Sequence, residues 1–430
     1  MPRLLCLLWA LTLTLAASAP ALAEDWPRWR GPRGDGTWIG PELAQDWPAT
    51  GLRTRWKAQL AGAYSGVTVA HGRAYTLDRP DPNQAQRQLE RVLCFDLESG
   101  RLLWQHAYDA DYGDLTYNTG PRASVTLHEG RAYTLGAVGH ALCLDAATGK
   151  PLWSIDTVQR LHATRPHWGF AASPLIHGDT VILHVGAPRG CVVAVDRLTG
   201  AERWRGGEDP AGYATPYLIA PGRPPEQRES HASQLICWTP QSVLSLSPRD
   251  GATLWRYPYP IQYGVSIHTP VYDNGVLFVS SYWHGPRALR VPIDPQPGTP
   301  PTVEVLWQHE KLLCGLMSQP LVRDGHGYIL DKDHGLSCFE MSTGKKLWDD
   351  AHRLTPRGRN PQANLVWLGA GDRALAMNSR GELALLSLTP RGVRELARTQ
   401  VVGETWAHPA FAGRCVVARS DREIVCVELP

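Results

Sequence analysis

The sequence predicts an all-β fold: an eight-bladed β-propeller of four-stranded antiparallel blades, closed by an N-terminal strand that completes the last blade. Three observations carry this. A Gly turn followed four residues later by Trp recurs in Asp96-Leu-Glu-Ser-Gly-Arg-Leu-Leu-Trp104 and in the segments ending at Trp153, Trp204, Trp255 and Trp348. Together with Trp56 and Trp307, which keep the beat without the full motif, these Trp stand 41 to 52 residues apart, a period that marks a repeat architecture. Between them each unit shows four short β-rich runs separated by turn signals, the pattern of one propeller blade. Aligning the units places Gly66, Ser124, Ser173, Thr215, Thr269, Gln319, Asn364 and His408 at one position, the start of the innermost strand. The eighth unit ends at Pro430 after three strands, while Leu52 to Lys57, containing Trp56, is an orphan fourth strand. Pairing the two closes the ring and hides both sheet edges.

Taken in order, residues 1–23 read as a signal peptide: Arg3, an apolar run from Leu4 to Leu15, and the small-x-small site Ala21-Leu-Ala23. Cys6 lies inside the apolar run, too early for the acylated Cys of a lipoprotein. The expectation is export to the periplasm or medium, with no transmembrane segment after cleavage. Residues 24–51 form a lead-in, and 52–430 the propeller. In the repeated motif, an Asp or Ser side chain bonds its own backbone to start the turn, Gly takes the left-handed conformation, and Trp lands on the outer strand against the neighbouring blade. Trp56, Trp104, Trp153, Trp204, Trp255, Trp307 and Trp348 are therefore docking residues. Three segments, Arg79 to Arg91, Ala220 to Ser230 and Pro292 to Thr302, break the metre and read as surface loops.

Export permits disulfides. Cys94, Cys143, Cys338 and Cys426 hold equivalent repeat positions and read as small buried hydrophobes. A two-residue hairpin around Ser420-Asp421 would set Cys415 opposite Cys426, where a bridge competes with the core-thiol reading. With 43 Lys and Arg against 41 Asp and Glu the chain carries no basic field for nucleic acid. It also lacks Cys-x-x-Cys, His-Glu-x-x-His, Gly-x-Ser-x-Gly and phosphate-loop patterns, leaving zinc, haem-attachment, hydrolase and nucleotide chemistry unsupported.

The repeated Asp145-Ala-Ala-Thr-Gly-Lys-Pro-Leu-Trp153 resembles the tryptophan-docking motif of the pyrroloquinoline quinone (PQQ)-like eight-bladed propellers, and Trp26-Pro-Arg-Trp-Arg-Gly-Pro-Arg-Gly-Asp-Gly36 looks like the lead-in of exported bacterial members. The resemblance implies one of two functional poles. Quinoprotein dehydrogenases hold PQQ with calcium at the axis, beneath adjacent cysteines, above a Trp and beside an Asp base; this sequence has no adjacent Cys pair. BamB-like scaffolds are similar in size and bind no cofactor, but they are lipoproteins, and the lipid-acceptor Cys is missing here.

The strand starts from Ser124 to His408 would ring the central channel, either as a polar funnel for a ligand or simply as groups that satisfy loops and water. Connections feeding that ring carry Tyr117, Arg122, His167, Trp168, Tyr213, Tyr263, His268 and Trp406. The ligand-binding candidates are Arg122, His167, Trp168, Tyr213, His268, Gln319, Asn364, Trp406 and His408. Asp109, Asp111 and Asp114 alternate as calcium ligands could, although the rest of an EF-hand loop is absent and a short acidic turn is the alternative. The expected function is that of a monomeric, non-catalytic binding or scaffold protein taking a protein partner or small ligand at the funnel face. PQQ-dependent alcohol or sugar oxidation and carbohydrate binding stand as alternatives.

Overall fold

A computed structural model of the chain describes residues 24–81, 87–223, 227, 234–293, 295 and 303–430. The segment expected as a signal peptide and the middles of the three irregular loops lie outside the described residues. The repeat folds into eight antiparallel sheets arranged as a propeller. Blade two shows the unit: Thr126–His128, Arg131–Leu135, His140–Asp145 and Pro151–Asp156 pair in sequence order from the axis outwards. Blade eight is composite, since Ala410–Ala412, Cys415–Arg419 and Glu423–Glu428 are completed by the N-terminal Arg53–Gln59, antiparallel with Trp56 opposite Cys426. The orphan strand thus closes the ring as expected. Among the described residues helix is confined to Thr157–Leu161 and the single turn Gln262–Gly264.

The docking tryptophans act between blades. Each motif Gly has φ near +70°, and a Cβ added there would meet the indole carried by the preceding blade: Gly100 against Trp56 at 2.5 Å, Gly149 against Trp104 at 2.4 Å, Gly344 against Trp307 at 2.5 Å. The indole N–H then donates to the carbonyl three residues before that Gly, from Trp56 to Leu97 (2.7 Å), Trp104 to Ala146 (3.1 Å), Trp153 to Arg197 (3.1 Å) and Trp307 to Met341 (2.8 Å). The turn itself is pinned by its Asp, as where Asp145 Oδ1 accepts from Thr148 N and Oγ1 at 2.8 and 2.7 Å. Only Gly leaves room for the ring and tolerates the left-handed backbone. Blade five lacks the Gly turn, and there Trp255 donates instead to Gln234 Oε1 (2.7 Å), whose Nε2 donates to Pro292 O (2.6 Å).

The hydrophobic clusters fill the gaps between neighbouring blades; one joins Tyr75, Leu77 and Val92 of blade one to Val125, Leu127 and Leu142 of blade two. Cys94, Cys143, Cys338 and Cys426 are fully buried, each directly across from its own blade's Trp104, Trp153, Trp348 or Trp56. A small apolar residue is needed there because its partner is the largest side chain. The expected opposition of Cys415 and Cys426 is corrected. The hairpin pairs Arg419 with Ile424 rather than Arg422, so Cys415 faces Glu428 and Cys426 faces Val417. Ser420 N donates to Glu423 O (2.9 Å) and Ser420 Oγ accepts from Arg422 N and Glu423 N at 3.3 Å, so the two-residue turn lies at Asp421-Arg422, one residue further along than expected. The two thiols are diagonal neighbours and are free. Their side chains nevertheless meet in hydrogen-bond contact across that diagonal, and Arg55 Nη1 donates to Cys415 Sγ (3.0 Å).

The lead-in is structural. Trp26 O accepts from Val69 N (2.8 Å), Pro27 O from Leu127 N (2.8 Å), and Arg30 Nη2 donates to Pro320 O (2.9 Å). Thr37–Trp38 then adds a parallel fifth strand against Trp367 and Leu368 of blade seven. These contacts fall along the innermost strands around the axis, so residues 26–38 cross the channel and tie blades one, two, six and seven together.

Gly130 and Gly149 share φ of +72°, but a Cβ at Gly130 meets nothing within 4 Å whereas one at Gly149 meets Trp104. Gly130→Ala is expected to cost about 1 kcal/mol and Gly149→Ala about 3 kcal/mol in urea denaturation, the difference reporting the indole contact. Trp153→Ala should cost about 3–5 kcal/mol by the same measurement.

Candidate functional site

Alternate strands of a blade run in opposite directions, so the connections entering the inner strands and the hairpins between second and third strands open on the same face. On that face lies a cavity of about 270 Å³, and its floor is Trp29 of the lead-in. Trp29 Nε1 donates to Thr269 Oγ1 (2.9 Å), and its ring meets His408 edge-on at 5.4 Å. The channel is thus a blind funnel.

Three groups of rings form its walls. Trp406 stands 5.5 Å from Tyr64 and 6.1 Å from Tyr117, uniting the last and first connections. Trp168 packs on Tyr213 at 5.6 Å. Trp283 meets Tyr282 at 4.9 Å and Tyr263 at 5.4 Å. Leu316, Met317, Gln319, Arg359, Asn360 and Gln362 complete the wall from blades six and seven. Among the described residues no Asp or Glu lines the cavity.

Of the nine residues expected at the funnel, Arg122, Trp168, Tyr213, Gln319 and Trp406 line it. His167 sits outside the cavity lining, its ring 5.1 Å from Trp168. His268, Asn364 and His408 lie inside the walls, each 3 % exposed or less. The polar strand starts are spent on one another: Ser124 N donates to Ser173 Oγ (2.9 Å), Ser173 N to Thr215 Oγ1 (2.9 Å), Thr269 N to Gln319 Oε1 (2.6 Å), and Asn364 Nδ2 to Ala407 O (3.0 Å). This belt binds successive blades at the axis. Gly66 is the exception because a Cβ there would lie 2.7 Å from Ser124 Oγ and 3.1 Å from His408 O. His268 receives Ser280 N at Nε2 (2.6 Å), and burial pushes its pKa down to about 4; His184 and His408 are likewise lowered to about 4.

Arg122 braces its own connection, donating to Gly120 O (2.5 Å), Thr116 O (3.2 Å) and Tyr117 O (2.6 Å), with its guanidinium 5.5 Å from the Tyr64 ring. Beneath it Tyr112 and Tyr108 donate to the buried Glu90 carboxylate, each at 2.5 Å. The Tyr282-Trp283 pair escaped sequence reasoning. Its signal was an aromatic dipeptide at the tip between the second and third strands of blade five, which topology places on the funnel face. Trp29 had no such signal, because the lead-in reaches the axis only by tertiary packing.

The acidic run does not converge. Asp109 pairs with Arg87, Asp111 Oδ1 accepts from Gln88 Nε2 (3.1 Å), and Asp114 pairs with Arg165 (2.9 Å). Among the described residues no group of three metal-ligating side chains comes together. PQQ with calcium does not fit the funnel as built: calcium takes oxygen ligands, mostly carboxylates, and the lining offers arginines, indoles and amides instead.

The family described as outer membrane protein assembly factor BamB matches residues 88–284 and 239–430. The chain belongs to this BamB family of PQQ-like propellers. BamB from Moraxella catarrhalis superposes with a TM-score of 0.60 at 17% identity, over 88% of this chain and all of that one. A europium-containing methanol dehydrogenase gives 0.65 at 12% identity, covering 92% and 89%. These likenesses establish the shared propeller. In sequence, the quinohemoprotein alcohol dehydrogenase ADH-IIG of Pseudomonas putida is 28% identical over 170 residues, 38% of this chain and 22% of the enzyme. The match therefore spans under a quarter of that relative's length. Among the described residues no helix is long and apolar enough to cross a membrane.

The three buried histidines give the fold an acid limit. Each is held neutral, with its pKa moved from 6.5 to about 4, so between those values the unfolded chain binds more protons. Stability is complete above pH 6.5 and falls as pH drops towards 4, by on the order of 3 kcal/mol per histidine. Urea midpoints at pH 7, 5.5 and 4 should decline in that order, and His268→Asn should flatten the slope.

Proposed function

We propose that this member of the BamB family is an exported, monomeric, non-catalytic binding protein that holds a ligand or partner segment in the aromatic funnel. The observation that carries this reading is the funnel's chemistry: a blind cavity walled by seven or more aromatic rings with no carboxylate in its lining. Such a surface offers stacking faces and hydrogen-bond donors, the features of a recognition site. A general base or a calcium-bound oxidant would draw on carboxylate or imidazole groups, and the described lining holds neither. The family match to an assembly factor agrees with a binding role. The expected residues Arg122, Trp168, Tyr213, Gln319 and Trp406 are assigned to recognition, and His167 to its margin. His268, Asn364 and His408 are assigned to the wall.

The similarity to a quinohemoprotein alcohol dehydrogenase favours a second reading, PQQ-dependent oxidation. Reconstitution of purified protein with PQQ and calcium separates the two. The binding reading expects no retained chromophore after gel filtration and no alcohol-dependent dye reduction; a retained quinone spectrum with turnover would replace it. The funnel itself is probed with 8-anilino-1-naphthalenesulfonate, an apolar anion. Trp406→Ala should weaken its fluorescence-detected binding by about tenfold while leaving the melting temperature within a few degrees. Unchanged dye affinity would remove the funnel from consideration.

A further inference from the structure

The funnel's unused hydrogen-bonding capacity is lopsided. The indole N–H groups of Trp168, Trp283 and Trp406 make no hydrogen bond among the described residues, and Arg359 enters bonding only through its carbonyl, which accepts from Tyr282 Oη at 3.0 Å. Its guanidinium, on an exposed residue of the cavity lining, is left with five donors. Of the three amide oxygens in the described lining, two are already engaged and only that of Asn360 is open. Gln319 Oε1 takes Thr269 N (2.6 Å) and Gln362 Oε1 takes Ser318 Oγ (3.2 Å), while no carboxylate is present in the lining. A ligand matched to this surface carries negative charge, many acceptor oxygens and apolar faces.

We infer that the funnel binds the end of an acidic oligosaccharide, stacking sugar rings on Trp283 and Trp406 and pairing a carboxylate or sulfate group with Arg359. This deepens the binding reading above and rests on it. Sugar rings present C–H faces to aromatic planes and an edge of ring, glycosidic and hydroxyl oxygens to donors. A peptide suits the site less well, because each of its residues brings a backbone N–H that needs an acceptor. A flat aromatic ligand suits it less well too. The funnel rings contact one another at tilts of 31°, 46°, 65° and 69° and do not form two parallel plates. The closed floor at Trp29 selects a chain terminus over a threaded segment. The cavity of about 270 Å³ lies near the small end of ligand sites, in keeping with one or two buried residues of a longer chain.

Calorimetric titration of the mature chain with four probes tests this: a galacturonate tetramer, a sulfated oligosaccharide of equal length, a neutral maltotetraose and an acidic tetrapeptide. The galacturonate or the sulfated probe should bind at least about tenfold more tightly than maltotetraose, and which of the two prevails identifies the anionic group. Arg359→Gln and Trp283→Ala should each weaken that binding about tenfold, whereas Arg391→Gln, on an exposed turn of blade seven, should not. Equal affinity for the neutral sugar, preference for the peptide, or binding of no probe overturns the assignment of an acidic sugar. If the preferred probe in either of the first two cases is lost in Trp283→Ala, the funnel still binds and only the ligand class fails. Acidic-sugar binding that survives both funnel variants would overturn the inference and the funnel reading together.

Discussion

The propeller depends on one interlock that recurs around the ring: an indole from one blade seated on the left-handed glycine of the next, its N–H in four blades bonded to a carbonyl three residues upstream. A large apolar surface drives the docking, and the single N–H fixes its register. The same geometry explains residues with no evident role of their own. The invariant spacing of Gly and Trp follows from where the turn must present its flat backbone, and the small Cys across from each Trp follows from the space the indole occupies. Where the turn is missing, Gln234 bridges from Trp255 to Pro292, so the hydrogen bond is relayed rather than abandoned.

A ring built this way leaves its axis open, and the chain closes it twice. The belt from Ser124 through Ser173 to Thr215 satisfies backbone N–H groups that the channel would otherwise leave to water. The lead-in then crosses the channel, burying Trp26 and Arg30 to 1 % exposure and setting Trp29 at the axis. With the polar ring consumed and the floor sealed, the recognition surface is displaced upwards to the connections and hairpin tips. Those positions are free to carry aromatic residues because no sheet pairing constrains them.

This displacement explains which site residues could be read from the sequence. Arg122, Tyr213 and Trp406 stand two residues before the aligned strand starts and Trp168 five before, so their placement on the funnel face follows from the connections that the blade pattern puts there. Asn364 and His408 are strand starts, His268 precedes one by a single residue, and all three turn into the walls. His268 has Ser280 N as a partner, Asn364 has Ala407 O, and His408 is stacked 5.6 Å from Trp26. At the strand-start position itself Thr215 and Gln319 line the cavity whereas Asn364 and His408 do not, and only packing sets that difference. Asp109, Asp111 and Asp114 fail to converge for a related reason, since Arg87, Gln88 and Arg165 each draw one carboxylate to a different neighbour.

Sequence by itself determined the eight-bladed architecture, the composite last blade and the docking tryptophans, because each is written in a period that local turn chemistry and hydrophobic spacing enforce. Tertiary structure alone decided the blind end of the channel, the hairpin register that sets Cys415 and Cys426 on a diagonal, and the donor-rich, carboxylate-free character of the funnel. These depend on contacts between residues as remote as Trp29 and Thr269, or on a two-residue turn set one residue further along the chain. A repeat specifies what each unit does to its neighbour; what converges at the axis is the sum of all eight units and the strap across them, and no single period contains it.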